Sequence, residues 1–377
     1  MRRSLRIALV LNPFTLRQRS GDHARALARE LIGRGHAVRG FGVPPGVVPR
    51  SGSSLMPGIR GFVPDALLAY DGLSPAGSHS AAVARRAGVP LFVAEQGFPT
   101  RGRPVERGLR WVGERLWGPR VRRSLCGVVA LDDLAQAQAL EFGVAREQVH
   151  LVPGGIDPAL HRRGLRSHLL ERHGVRGHVV LAAGPLLPGR GLRGLVRAYA
   201  ATLGALEDWT LVIAGEGPLG RELEALANIK GVSSGVVLVE RPRAEELPAL
   251  VGAATLMVDA DRSGRGPRRT TLGGLASGTP LLAVPGSRFA SLARAEAGLE
   301  LEGARVEDLA GGLRMAAGDP VRRERWAAAA TRLGAEELSW SRVAERVEGL
   351  LLGDAVREPG EEPGQLSEEP QHRLRRA

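Results

Sequence analysis

The stretch RSGRGPRRTTLGGLASGTP, Arg262–Pro280, concentrates groups that could bind an anion. Arg262, Arg265, Arg268 and Arg269 precede Thr270 and Thr271, with no acid between Arg262 and Gly278. GLASGTPLLAV then has the order of a helix end, a tight turn and a buried strand. A helix N-terminus carries partial positive charge, and threonine hydroxyls can cap its free amides. Guanidiniums beside such an end make a good anion site. The same arginines are equally compatible with a solvated loop. Just upstream, Asp259 and Asp261 flank Ala260 at a strand end. They could serve a ligand, hold a cation or cap the next turn. Gly215 and Gly217 of GEGP form a tight turn at another strand end.

Other chemistries find little support. His23, His36 and His79 lack metal-ligand spacing. Cys126 is the single cysteine, so no disulfide framework or cysteine-based metal site can form. A reducing, cytoplasmic compartment fits. No GxSxG and no Walker loop is present. No apolar run reaches the roughly 18 residues of a membrane span, and MRRSLRIALVLNPF is expected to form a first buried strand rather than a signal peptide.

The net charge of +12 is asymmetric. Residues 1–163 hold 24 basic and 12 acidic residues, whereas residues 164–377 hold 28 of each. A basic N-terminal half points to an acidic partner, such as an anionic membrane surface, a phosphorylated lipid or an acidic polymer. Arg101–Ser124 carries eight arginines and two tryptophans. Trp111, Leu116 and Trp117 either form an apolar face ringed by arginine, able to lie on an anionic membrane, or pack into the domain. No nucleic-acid fold signature appears, so no nucleic-acid partner is expected.

These groups need a scaffold. Short apolar strands (LRIALVLNP, DALLAY, PLFVAEQG, CGVVAL) alternate with helices of 3.6-residue periodicity (GDHARALARELIGRGHAV, SAAVARRAG, DDLAQAQALEFG), the signature of βαβ units and parallel sheets. Residues 42–63, rich in Gly, Pro and Ser, suggest a long loop. After QVHLVPGGIDPALHRRG the pattern restarts with HVVLAAG, WTLVIAGEG, GVVLVE, TLMVDA and PLLAV, with helices between. The spacing places a helix from about Thr271 to Ser277. The expected domains are residues 1–155 and 156–352, with a hinge near Val152–Ala159. A last helix around Ser339–Leu352 is expected to cross back to the first domain. Residues 353–377 form an expected disordered tail. Ligands of such sheets bind beyond the strands' carboxyl ends, here in an interdomain cleft.

Five segments in order resemble glycosyltransferase family 4, also called group 1. SGDHARALARELIGRGHAV is similar to its glycine-rich loop and first helix, and VPGGIDPALH to its interdomain turn. AAGPLLPGRGLRGLVRAY is similar to its phosphate-binding segment, LVIAGEGP to its LxIxGxGP, and LASGTPLLAV to its MAxGxPVVA. The resemblance implies an α/β GT-B fold, with two Rossmann-like domains whose parallel sheets face an interdomain cleft. It implies retaining, metal-independent transfer from a nucleotide-diphosphate sugar to a carbohydrate or glycolipid acceptor, with no further cofactor. It places Gly21 on the loop approaching the diphosphate and Arg190 where the family carries a lysine. A family arginine is replaced by Pro185. The family's histidine falls at Gln96, beside Glu95, and its two glutamates fall at Arg265 and Gly273. The implied donor site is therefore Gly21, Arg190, Gly215, Gly217, Arg265, Arg268, Arg269, Thr270, Thr271 and Gly273, with Gln96 and Arg190 in catalytic places. Loss of the acids leaves a second expectation open, a non-catalytic relative that binds a sugar, a nucleotide or a partner glycosyltransferase.

Overall fold

The computed structural model describes residues 3–11, 20–42, 55–70, 72, 75–97, 115–116, 118–202, 208–264, 266 and 268–353. The expectations for Trp111, Trp117 and the tail beyond Gly353 lie outside the described residues. The apolar runs form two six-stranded sheets. The first contains β1 (Arg6–Val10), β2 (Ala37–Phe41), β3 (Ala66–Tyr70), β4 (Leu91–Glu95), β5 (Leu125–Ala130) and β6 (Val149–Leu151), in the order β2-β1-β3-β4-β5-β6. The second contains β7 (His178–Ala183), β8 (Trp209–Ala214), β9 (Val236–Val239), β10 (Leu256–Asp259), β11 (Leu281–Ala283) and β12 (Gly298–Glu300), in the order β12-β11-β10-β7-β8-β9. All pairings are parallel. The central strands are apolar on both faces because helices cover both. β1 and β7 sit where their sheets change winding direction, so crevices open beyond their carboxyl ends.

Two elements differ from the sequence expectation. The glycine-rich span 42–63 contains a helix, Leu55–Phe62, because Ile59 and Phe62 pack against Phe41 in the first domain's core. The helix expected from Thr271 starts three residues earlier, at Arg268, and runs to Ala276.

The chain crosses between the sheets twice, and the crossings are hydrogen-bonded to each other. The Ile156 N–H donates to the Leu338 carbonyl at 2.7 Å, and the Trp340 N–H donates to the Ile156 carbonyl at 3.3 Å, a parallel bridge at Ile156 and Ser339. The indole of Trp340 lies on Gly155, where a Cβ would stand 2.4 Å from Cδ2, so only glycine fits. The helix Trp340–Leu352 begins at a Ser339 cap and ends at Gly353, whose φ of 86° is left-handed. Its buried Val343, Val347, Leu350 and Leu351 join the core formed by Ile7, Leu27 and Leu31.

A buried polar group fixes that docking. Glu348, 3% exposed, accepts from Arg34 Nε at 2.5 Å and lies 3.2 Å from His36 Nε2. His36 Nδ1 accepts the Leu5 N–H, so the ring proton sits on Nε2, facing Glu348. Replacing Glu348 with Ala leaves Arg34 without its carboxylate and is expected to cost about 3 kcal/mol. Denaturant unfolding measures the loss, and a cost below about 1 kcal/mol would show that the apolar contacts alone dock this helix.

Candidate active site

The two sheets face a cleft of about 1040 Å³. The helix Ser20–Gly33 supplies one wall. Ala24, Leu27, Ala28 and Leu31 are buried at helical spacing, which turns Asp22, Arg25 and Arg29 toward the cleft. His23 lies at its inner edge, with Nδ1 2.8 Å from the Tyr70 hydroxyl and its ring edge-on to Trp340 at 5.1 Å. Gln96 enters from the end of β4, and Gly154–Pro158 line the floor. Opposite, the first turn of the helix Arg268–Ala276 presents Arg269 and Thr270. Arg269 Nη1 lies 3.9 Å from Asp22 Oδ2, a loose ion pair across the opening. Its guanidinium is 87% exposed and can swing to a ligand.

The sequence-derived site residues separate into distinct environments. Gln96, Arg269 and Thr270 line the cleft. Gly21 is buried in the first turn of the helix Ser20–Gly33. Arg265 lies outside the described residues, as does the side chain of Arg268. Thr270 and Thr271 do not precede the helix as caps: both sit inside its first turn, and Thr271 is buried. Gly215 and Gly217 hold φ of 154°, and a Cβ at Gly215 would stand 1.9 Å from the Gly184 carbonyl oxygen. They let the turn after β8 press against the loop after β7, a structural task.

Arg190 is corrected from an anion-facing residue to a buried brace. It is 4% exposed, and its guanidinium donates to the Ala183 and Pro185 carbonyls at 3.1 Å. Its Nε lies 3.8 Å from Asp261 Oδ2. Asp261 accepts from the Ser263 N–H at 2.8 Å, the Ser263 hydroxyl at 2.5 Å and the Gly266 N–H. Of the three roles open to these acids, Asp261 takes the turn cap. Asp259 accepts the Asp261 N–H at 3.1 Å. Burial pushes the Asp259 carboxyl up to about 6, with Arg190 pulling it down and Asp261 pushing it up.

Gly273 has a neighbour that sequence reasoning missed. The His161 ring rests on it, and a Cβ at Gly273 would stand 2.4 Å from His161 Cε1. Burial lowers the His161 pKa, Asp157 raises it and Arg269 lowers it further. The position expected to lack a carboxylate is thus covered by an imidazole. Trp340 and Arg288, both at the domain junction, also carried no local signal.

Comparison with known proteins bears on this cleft. Residues 177–319 match the family model described as glycosyl transferases group 1. A segment of 113 residues is 34% identical to a GDP-mannose-dependent alpha-(1-6)-phosphatidylinositol monomannoside mannosyltransferase of Mycolicibacterium smegmatis, covering 29% of this chain and 30% of that protein. Another, of 142 residues, is 27% identical to a 2-deoxystreptamine glucosyltransferase of Streptomyces kanamyceticus, covering 36% and 37%. The chain thus spans about a third of the length of these curated relatives. Among solved structures, HepE of Anabaena in complex with UDP aligns with a TM-score of 0.70 at 16% identity, over 92% of this chain and all of that one. A glycosyltransferase of Rickettsia africae aligns at 0.69 and 13% identity, over 93% and 99%.

Two outcomes follow. Gly273→Ala is expected to destabilise by about 1–3 kcal/mol through overpacking, and His161→Ala in the same chain to recover most of it. Additive losses in a double-mutant cycle would remove the contact. For Asp259, the raised pKa means that the folded chain binds a proton between about pH 6 and pH 4 that the unfolded chain does not. Stability from this group therefore rises as pH falls through that window, by up to about 2–3 kcal/mol. Asp259→Asn keeps an acceptor without the charge, so its advantage over wild type should shrink from pH 7.5 to pH 4.5. A difference independent of pH rejects the assignment.

Proposed function

We propose that this group 1 glycosyltransferase of GT-B fold moves a sugar from a nucleotide-diphosphate sugar to a lipid-linked or polysaccharide-precursor acceptor, with retention and without a metal ion. The observation that carries the reading is the convergence of Arg269, Thr270 and the first turn of their helix with Gln96 and His23 on one open cleft. A leaving diphosphate gathers negative charge as the glycosidic bond breaks. Fixed amides at a helix N-terminus and a mobile guanidinium stabilise that charge without reorganising water. Gln96 offers an amide to the sugar hydroxyls.

The other wall suits the acceptor. Arg25 and Arg29 stand one turn apart on the cleft face of the helix Ser20–Gly33. They belong to the basic half of the chain, and a phosphate-bearing acceptor fits that charge. The Mycolicibacterium relative, named for transfer to a phosphatidylinositol mannoside, agrees with a lipid-linked class. No helix among the described residues is long and apolar enough to cross a membrane. In the proposed arrangement the protein meets such an acceptor at the membrane surface through its basic half.

A second reading, a non-catalytic relative that binds a sugar, a nucleotide or a partner glycosyltransferase, draws on Arg190 being spent on carbonyls and on the covered Gly273. Calorimetry with UDP, GDP and their sugars, followed by transfer assays on phosphorylated lipid acceptors, separates the two. The enzyme reading expects binding and turnover. Binding without turnover on any donor supports the second. Arg269→Ala should weaken nucleoside-diphosphate affinity about tenfold, as for a charge-assisted hydrogen bond. Unchanged affinity in a folded variant removes Arg269 from the site.

A further inference from the structure

The domains also meet around a single side chain. Arg288 follows β11 and is 3% exposed. Its Nη1 donates to the Gln96 carbonyl at 2.8 Å and pairs with the Asp132 carboxylate. Its Nε donates to the Gly264 carbonyl at 2.9 Å, Nη2 donates to the same oxygen, and Nη2 reaches the Gly97 carbonyl at 3.5 Å. Asp132 is fully buried, and its other oxygen caps the helix Asp133–Glu141 by accepting the Ala135 N–H at 2.8 Å. The backbone reciprocates: the Asp133 N–H donates to the Arg288 carbonyl at 2.9 Å. Asp133 accepts from the Ser291 N–H at 2.7 Å and its hydroxyl at 2.5 Å.

Three loops from two domains therefore converge on one guanidinium. Gln96 borders the cleft, and Gly264 begins the approach to the helix Arg268–Ala276. A planar fork with fixed donors holds such an arrangement where a flexible ammonium would not. We propose that Arg288 is a positioning residue that clasps the two domains together and sets the distance between the cleft wall at Gln96 and the loop at Gly264. The clasp is independent of the proposed activity, and only its effect on transfer rests on that reading.

The test uses the full chain without ligand. Amide exchange is followed at Asp133 and Ser291, whose N–H groups bond across the junction, with β1 and β7 as internal controls. Arg288→Ala should lower protection at the two junction amides at least about tenfold while leaving the controls protected. It should also increase the radius of gyration in solution scattering. Arg288→Lys should restore part of the protection, and Asp132→Asn, which keeps the helix cap, should lose less than Arg288→Ala. If Arg288→Ala does not fold, these two milder variants decide the matter. Wild-type junction protection and scattering in every folded variant would overturn the proposal. A positioning role also predicts that nucleotide affinity stays within about twofold while kcat falls. Parallel loss of both assigns Arg288 to ligand contact instead. Exchange and scattering need neither donor nor acceptor, so the clasp stands or falls on them even if the glycosyltransferase reading fails.

Discussion

A guanidinium removed from water must be given acceptors, because an unpaired buried charge costs several kcal/mol. Arg190 and Arg288 are each nearly buried, and the loops of both domains are arranged to satisfy them. Arg190 holds the loop after β7 against the acids after β10. Arg288 holds the loop after β10 against the ends of β4 and β5. Gly264 is thus held by Arg288, and Gly266 by Asp261.

This reverses the ordinary expectation for an arginine-rich chain, in which basic side chains serve as the surface that meets ligands. Here Arg190 and Arg288 are structural members, whereas among the described residues Arg25, Arg29 and Arg269 line the cleft. The separation has a chemical logic. A cation that must relax around a changing ligand needs exposure and freedom, as Arg269 has. A cation that sets a loop needs fixed acceptors, as Arg190 and Arg288 have. One residue cannot serve both ends well.

The fold was legible because strand and helix alternation is a local property. LRIALVLNP or WTLVIAGEG shows a doubly covered parallel strand without reference to any partner. The helix Leu55–Phe62 was hidden in a glycine-rich stretch because its justification is a contact with Phe41, distant in sequence. The site was half legible for the same reason. Gln96 follows from the family resemblance and Arg269 from the basic run before a helix, and both line the cleft. The direction of Arg190 depends on the curl of its own loop, which turns the Ala183 and Pro185 carbonyls inward, and on Asp261, distant in sequence. His161 over Gly273 and Arg288 against Asp132 join positions more than a hundred residues apart. Nothing local in GSRFAS distinguishes a clasp from a polar turn.

The helix Trp340–Leu352 covers part of the first domain's core although it is made after the whole second domain. A chain emerging from the ribosome therefore presents the first sheet and the helix Ser20–Gly33 with Leu27 and Leu31 in place but without Val343, Val347 and Leu350 to close over them. Domains generally fold as they emerge, N-terminal first. This one must wait with an apolar face open while nearly two hundred further residues are added. The N-terminal domain is thus the later of the two to be completed, and its biogenesis is exposed to aggregation or chaperone capture during that interval.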